Sequence, residues 1–368
     1  MYYLIVSLSF FTGIFQTHLP SVDVGRLGKA VIIGSLIFRR LKANYLALKL
    51  HGVCAILATP FDSQKRIDER DLRALVDFEL TSGVHGITIL GILGEVLRLS
   101  DAERREITRI VVDEVRGRVP VISGTGATGT DLAIMYSKEA EELKADALMI
   151  APPRLAKPND DALVKYYRDV AKEVTIPIVI QDEPSTYAVH MSPKLIAQLS
   201  EIEHVEYLKL EDPPTPIKVS QIRNLIGDKV GIFGGLGGLY ALEELSRGAI
   251  GVMTGFAYPE ILVNVYEAFS QGRRDEARNL FYRAMPLIRY EAQPTINIAI
   301  RKEIFKRRGI IKDSTLREPA AKLDSDSLKE LDELLSTIDS NVLSESKKIL
   351  ATTKQTNPAI VQDRNTRA

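Results

Sequence analysis

The chain has 368 residues, with 48 lysines and arginines balancing 48 aspartates and glutamates, so it carries no net formal charge. That balance excludes nucleic acid or an anionic membrane as a bulk electrostatic partner, and a substrate has to be argued from a site. The one cysteine, Cys54, excludes an intrachain disulfide, and five scattered histidines without HExxH or CxxC spacing offer a metal no ligand set, so neither metal nor cofactor is expected.

Residues 1–50 read as an N-terminal extension outside the catalytic fold. Met1 to Leu19 is apolar and free of formal charge, which leaves a targeting or anchor segment as the alternative, but it lacks a positive n-region. Gly34 to Phe38 is a second apolar patch, closed by Arg39-Arg40 and far too short to span a bilayer.

At His51 a strand-then-helix rhythm begins. Gly52 to Ala58 is an apolar strand ending in Thr59-Pro60-Phe61-Asp62, and Leu72, Leu75, Val76 and Leu80 mark the helical stripe of Asp68 to Ser82, closed by Gly83. Strand two, Gly86 to Leu90, runs into Gly91-Ile-Leu-Gly-Glu95, and its helix opens on the capping box Ser100-Asp-Ala-Glu103. Val119 to Ser123 is strand three, closed by Gly124-Thr-Gly126, with a helix over Thr130 to Leu143. Ala147 to Ala151 is strand four, followed by Pro152-Pro153 and a helix from Asp160 to Val174. Strand five is Ile178 to Gln181, strand six lies within His204 to Asp212, strand seven is Val230 to Phe233, and strand eight is Gly251 to Thr254. Strands seven and eight run into Gly234-Gly-Leu-Gly-Gly238 and Gly255-Phe-Ala-Tyr258.

Short Val/Ile/Leu-rich strands, each followed by an amphipathic helix, are what a closed parallel barrel requires, because both faces of every strand are covered. The pattern predicts an α/β fold, a (β/α)8 TIM barrel over residues 51–272. An open doubly wound sheet is the alternative, but Ala58-Thr-Pro-Phe61 is not the Gly-rich dinucleotide turn its first strand would carry. Additional C-terminal helices, Asp275 to Ile288, Ile296 to Arg307 and Ser325 to Leu335, are expected to pack on the barrel within residues 273–340. The polar tail at 341–368 has a disordered composition.

Lys209 is the residue that asks for a reason. Period two puts Val205, Tyr207, Lys209 and Glu211 on one strand face and Leu208 and Leu210 on the other. A lysine there is either a strand end reaching water or a group doing chemistry.

In order and at the right spacings, Ala58-Thr-Pro-Phe61, Gly91-x-x-Gly-Glu95, Leu99-Ser-Asp-Ala-Glu-Arg104, Gly124-Thr-Gly126, Pro152-Pro153, Lys157-Pro158 and the Lys209 strand resemble the dihydrodipicolinate synthase and N-acetylneuraminate lyase superfamily. The resemblance covers about Gly52 to Leu335. It implies a (β/α)8 barrel acting as a class I lyase, with Lys209 forming an imine with pyruvate or a similar 2-keto acid. It also implies a homo-oligomer, commonly a tetramer, in the cytoplasm. An amine suits this role because its iminium is an electron sink, and it attacks only when neutral, a form that apolar walls favour. Val205, Val252 and Met253 are candidate walls, and Glu211 is expected to turn away or sit beyond the barrel mouth.

The chain departs from true dihydrodipicolinate synthases at instructive places. Ile92 and Leu93 stand where those enzymes carry two threonines, Arg154 and Leu155 where they carry a tyrosine pair, Gln181 where the catalytic tyrosine lies, and Thr186 where a carboxylate-binding arginine lies. A glutamine amide can orient a carbonyl or water but does not shuttle protons near neutral pH. Gln181-Asp182, Glu201-Ile-Glu-His-Val205 and Lys209-x-Glu211 look more similar to the branch that dehydrates or cleaves 2-keto-3-deoxy sugar acids.

The resemblance thus implies Lys209 and Gln181 as catalytic residues, with Gly91, Ile92, Leu93, Thr59, Gly235, Met253, Arg154, Thr186 and Glu211 around the substrate. Asp182, Glu183, Tyr187, Tyr207, Glu211 and Arg154 are the groups available to replace the tyrosine relay. Glu95 reads as a structural hydrogen-bond acceptor before a catalytic base. Three alternatives stay open: dihydrodipicolinate synthase itself, a phosphosugar-handling barrel using the Gly234 to Gly238 loop, and an inactive keto-acid binding protein.

Overall fold

The computed structural model describes residues 49–154 and 159–338. Most of the N-terminal extension, Leu155 with Lys157-Pro158, and the 341–368 tail therefore lie outside the described residues.

Strands β1 (Gly52–Ile56), β2 (Gly86–Ile89), β3 (Val121–Gly124), β4 (Ala147–Ile150), β5 (Ile178–Asp182), β6 (Val205–Leu210), β7 (Gly231–Gly234) and β8 (Gly251–Thr254) close into a barrel in sequence order. All neighbours pair parallel, β1 closing on β8 through Val53 opposite Val252 and Cys54 opposite Met253. The interleaved helices are α1 (Glu69–Thr81), α2 (Asp101–Val115), α3 (Thr130–Glu142), α4 (Asp160–Ala171), α5 (Pro184–Tyr187), α6 (Pro193–Leu199), α7 (Thr215–Ile226), α8 (Ala241–Ser246) and α9 (Pro259–Ser270). Beyond them come α10 (Arg274–Glu291), α11 (Asn297–Arg307) and a helix over residues 325–338, α12. No helix among the described residues is long and apolar enough to cross a membrane.

Local chemistry explains the helix starts. Ser100 caps α2 reciprocally with Glu103, the serine amide donating to Glu103 Oε2 at 2.9 Å, and Asp68 and Asn159 accept from Asp71 and Ala162 at the starts of α1 and α4. Period two sorts the strands into two layers. Cys54, Ile56, Ile122, Met149, Val179, Tyr207, Phe233 and Met253 fill the barrel interior, while Val53, Ile87, Val121 and Val252 face the helices.

Strict alternation fails in one place. The β5–β6 register steps from Ile178 opposite Val205 to Val179 opposite Tyr207, a bulge that leaves Glu206 exposed and turns Val205 outward among Leu208 and Leu210. Val205 is therefore not a wall of the lysine site, and neither is Val252, which faces the helices. Of the three expected neighbours, Met253 alone lies in the interior cluster.

Candidate active site

β6 carries Lys209 at its C-terminal end, the end of a barrel strand where loops gather catalytic groups. The side chain faces inward with Tyr207, and the residue is only 3% exposed, so it is not a strand end reaching water. Its register partners are Gln181 on β5 and Phe233 on β7.

Lys209 Nζ donates to Glu211 Oε2 at 2.5 Å, and Gln181 Nε2 donates to the same oxygen at 3.1 Å. The expectation that Glu211 would turn away is thus corrected. A buried ammonium needs an anionic acceptor, and period two returns Glu211 to the lysine's face just past the strand end. Room for it comes from Gly235, where a Cβ would lie 2.2 Å from Glu211 Cγ. Lys209, Gln181, Glu211 and Gly235 are brought together.

The rest of the expected set spreads around the mouth. Gly91 approaches Ile56, and Leu93 reaches across to β8, where a Cβ on Gly255 would meet its Cδ1 at 2.4 Å. Leu93 is buried in the interior cluster with Met253, and Ile92 is half-buried, so the loop after β2 forms an apolar roof. Thr59 spends its hydroxyl on the Gly94 carbonyl at 2.7 Å, which braces that loop. Arg154 is exposed, and Thr186 is half-buried, its amide donating to Glu183 Oε2 at 2.9 Å as Glu183 caps α5.

The possible proton carriers separate by direction. Asp182, next to Gln181, points to the helix layer, where Lys218 Nζ contacts it at 2.5 Å and Asp212 at 2.8 Å. Burial pushes its carboxyl up to about 6 against the opposing pull of Lys218. Tyr207 lies at the other end of the barrel, its hydroxyl accepting from the Leu50 amide at 3.2 Å. Glu183 is held by Ser185 and the Thr186 amide, and burial, then Glu211, raises its pKa. Burial, then Glu183 and Glu211, likewise raises that of Tyr187, keeping the phenol protonated. Glu211 alone of these groups contacts the lysine amine.

Buried charges missed by sequence reasoning pin the C-terminal helices over the mouth. Lys302 Nζ on α11 donates to Glu95 Oε1 at 2.6 Å and to the Thr315 carbonyl at 2.8 Å, while the Arg317 amide reaches Glu95 Oε2 at 2.9 Å. Glu95 is thus a clamp between the loop after β2 and the C-terminal segment. Next to it, Arg301 Nε donates to Glu291 Oε2 at 3.1 Å. The readable signal was a charge inside an apolar stripe: Arg301 shares the α11 face of Ile298 and Phe305 at helical spacing.

The end of β7 has a carboxyl group on each side, Glu211 within and Glu244 in the helix layer. Besides Glu211 at Gly235, Glu244 packs so closely that a Cβ on Gly234 would lie 1.7 Å from its Oε2.

The dihydrodipicolinate synthetase family model matches residues 49–338. An L-2-keto-3-deoxyarabonate dehydratase of Azospirillum brasilense is 30% identical over 79% of this chain and 96% of its own length. A 4-hydroxy-tetrahydrodipicolinate synthase of Thermodesulfovibrio yellowstonii is 31% identical over 77% of this chain and 97% of its own. Among solved structures, a dihydrodipicolinate synthase from Rhodopseudomonas palustris superposes with a TM-score of 0.74 at 34% identity, covering 78% of this chain and 97% of that one. Both the barrel and a match running from the first strand to the last described helix agree: this chain belongs to the dihydrodipicolinate synthetase family.

Proposed function

We propose that the protein is a Schiff-base lyase, a dehydratase or aldolase acting on pyruvate or a 2-keto-3-deoxy sugar acid through an imine at Lys209. The observation that carries this reading is the 2.5 Å contact between Lys209 Nζ and Glu211 Oε2, with Gln181 on the same oxygen. Glu211 takes a proton from the ammonium, and the freed amine adds to the keto carbon and expels its oxygen as water. The iminium then draws electrons from C3. In dehydration, C3 loses a proton and the C4 hydroxyl leaves as water; in aldol cleavage, the C4 hydroxyl loses a proton and the C3–C4 bond breaks.

Glu211 is the proton carrier in either course, and Gln181 holds its carboxylate in place without titrating. Gly91, Ile92 and Leu93 roof the site, and Met253 lines it. This division of labour favours the sugar-acid branch over dihydrodipicolinate synthesis, because the tyrosine that branch point would need is Gln181. A homo-oligomer is proposed on the family likeness.

Borohydride reduction in the presence of pyruvate or a 2-keto-3-deoxy acid, read by peptide mass, tests the reading. A covalent adduct on Lys209 is expected; no adduct with any keto acid overturns it. An adduct without turnover across a sugar-acid panel would mark a binding protein, and turnover only with an aldehyde partner and pyruvate would mark dihydrodipicolinate synthase.

A further inference from the structure

The carboxylate that meets Lys209 stands one residue beyond its strand. β6 ends at Leu210, and the Glu211 amide adds a further rung to β5, donating to the Asp182 carbonyl at 2.9 Å. Pro213 and Pro214 follow, and neither has an N–H with which to extend the ladder. A tie for this segment lies on the outer face of the barrel. Lys218 on α7 donates from Nζ to Asp182 Oδ2 at 2.5 Å and to Asp212 Oδ2 at 2.8 Å, bridging the neighbour of Gln181 to the neighbour of Glu211. Lys218 is 6% exposed and is the fourth residue of α7, near the positive end of the helix dipole, where a cation is disfavoured. Its two carboxylates offset that. Gln181 and Glu211 point inward and share a hydrogen bond of 3.1 Å, while Asp182 and Asp212, each one position on, turn to the lysine outside. The β5–β6 rim is thus joined on both faces.

We propose that Lys218 is a positioning residue for the reaction: by stapling Asp182 to Asp212 across the rim, it holds the Glu211 main chain so that the Glu211 carboxylate stays on Lys209 Nζ. This inference rests on the keto-acid reading, in which Glu211 carries the proton, and adds what keeps that group in place. One ammonium is shared by two carboxylates, and Asp182 Oδ1 is buried without a hydrogen-bond partner among the described residues. Carboxylates in a buried setting repel each other once their shared cation is gone. Removing the ammonium therefore drives the strand ends apart at Asp182 and Asp212. Glu211 moves with them, because its amide is bonded to the Asp182 carbonyl and Asp212 follows it directly. His190 Nδ1 lies 3.3 Å from Asp212 Oδ1, but its ring is exposed, and an exposed pair is a weak tether.

The test follows exchange of the pyruvate methyl protons for deuterium in heavy water by proton NMR. In that exchange the iminium gives a methyl proton to Glu211, and the enamine takes a deuteron back when the step reverses. Lys218→Met and Lys218→Met/Asp182→Asn, the second guarding against misfolding around an unpaired Asp182, are each made in the wild type and in Glu211→Gln. Loss of the staple is expected to lower kcat for exchange about 10- to 100-fold with KM changed less than about 3-fold, and to cost less than about 3-fold more when Glu211→Gln is already present. Equal loss in both backgrounds would show a role in the fold at large, and a wild-type kcat in Lys218→Met would show no role; either overturns the inference. A crystal structure of Lys218→Met/Asp182→Asn reads the staple apart from any chemistry. The Glu211 carboxylate is expected beyond hydrogen-bond reach of Lys209 Nζ, and a carboxylate still on Nζ overturns the inference. If Glu211 is displaced there and the wild type gives neither adduct nor exchange, the staple stands and the imine reading falls; if the wild type gives the adduct and Glu211 keeps its place, the staple falls and the imine reading stands.

Discussion

Gln181 stands opposite Lys209 in the β5–β6 register, and both side chains donate to one oxygen of Glu211. A glutamine amide does not titrate near neutral pH, so of the two side chains that touch Lys209 or its partner, only the carboxylate can carry a proton. Under the proposed imine chemistry, proton handling falls to the carboxylate both residues hold.

Lys209→Ala is expected to abolish the borohydride adduct and to lower turnover by more than about 10³-fold, because Lys209 is the one lysine on β6 and its amine is the proposed nucleophile. Mass spectrometry of the reduced protein and a product assay check both.

Glu211→Gln separates imine formation from proton transfer. The amide keeps the size and the contact with Gln181 but cannot accept a proton, so kcat is expected to fall about 10²- to 10⁴-fold with a much smaller change in KM. Adduct formation at Lys209 should persist at a reduced rate.

Gly235→Ala probes the same carboxylate through space. The new methyl would lie 2.2 Å from Glu211 Cγ, so the side chain has to leave Lys209. Activity is expected to drop about as far as in Glu211→Gln. An alanine variant with wild-type kcat would show that the Glu211 placement is dispensable.

Stability should carry a pH signature from Glu244. Burial raises this carboxyl from 4.5 to about 7, against a hydrogen bond from Thr215 Oγ1. A carboxyl whose folded pKa lies above its unfolded one binds more protons when folded, so its contribution declines as pH rises from about 4.5 to about 7. Glu244→Gln is expected to flatten that part of the urea-stability profile by roughly 2–3 kcal/mol between its ends. A parallel profile would show that Glu244 does not set the slope.

Lys302→Met removes one half of a fully buried pair and leaves Glu95 with the Arg317 amide and Arg98 at 3.4 Å. The expected cost is about 3–5 kcal/mol in urea denaturation. Adding Glu95→Gln should recover part of it, because no uncompensated charge then remains inside.

Much of the barrel was legible along the chain. Period-two strands covered on both faces, the Ser100–Glu103 box and the helical stripe at Leu72, Leu75, Val76 and Leu80 each follow from neighbours close in sequence. Strand bounds fell within a residue or two of those seen, β1 ending at Ile56 and β3 beginning at Val121. The bulge that turns Val205 outward was not legible, because it arises from how β6 pairs with β5.

Lys209 was singled out by its place on a strand face, and Gln181, Ile92, Leu93 and Thr186 were read as departures from the family's pattern. Which groups stand beside the lysine was not legible. Glu211 was expected to turn away, since a carboxylate beside a nucleophilic amine looks unfavourable until Gly235 and Gln181, 24 and 30 residues from it, are seen to make its place. Arg301 and Lys302 lie nearly a hundred residues beyond Lys209 and reach the mouth only because α11 folds back over the loops after β2 and β7.

The sequence by itself determined the barrel, the family and the amine, because periodicity, caps and motif order are local properties of the chain. Tertiary structure alone decided which groups surround that amine. A buried charge takes whichever acceptor packing brings within hydrogen-bond reach, and at the mouth of a closed barrel those acceptors come from different strands and a distant helix.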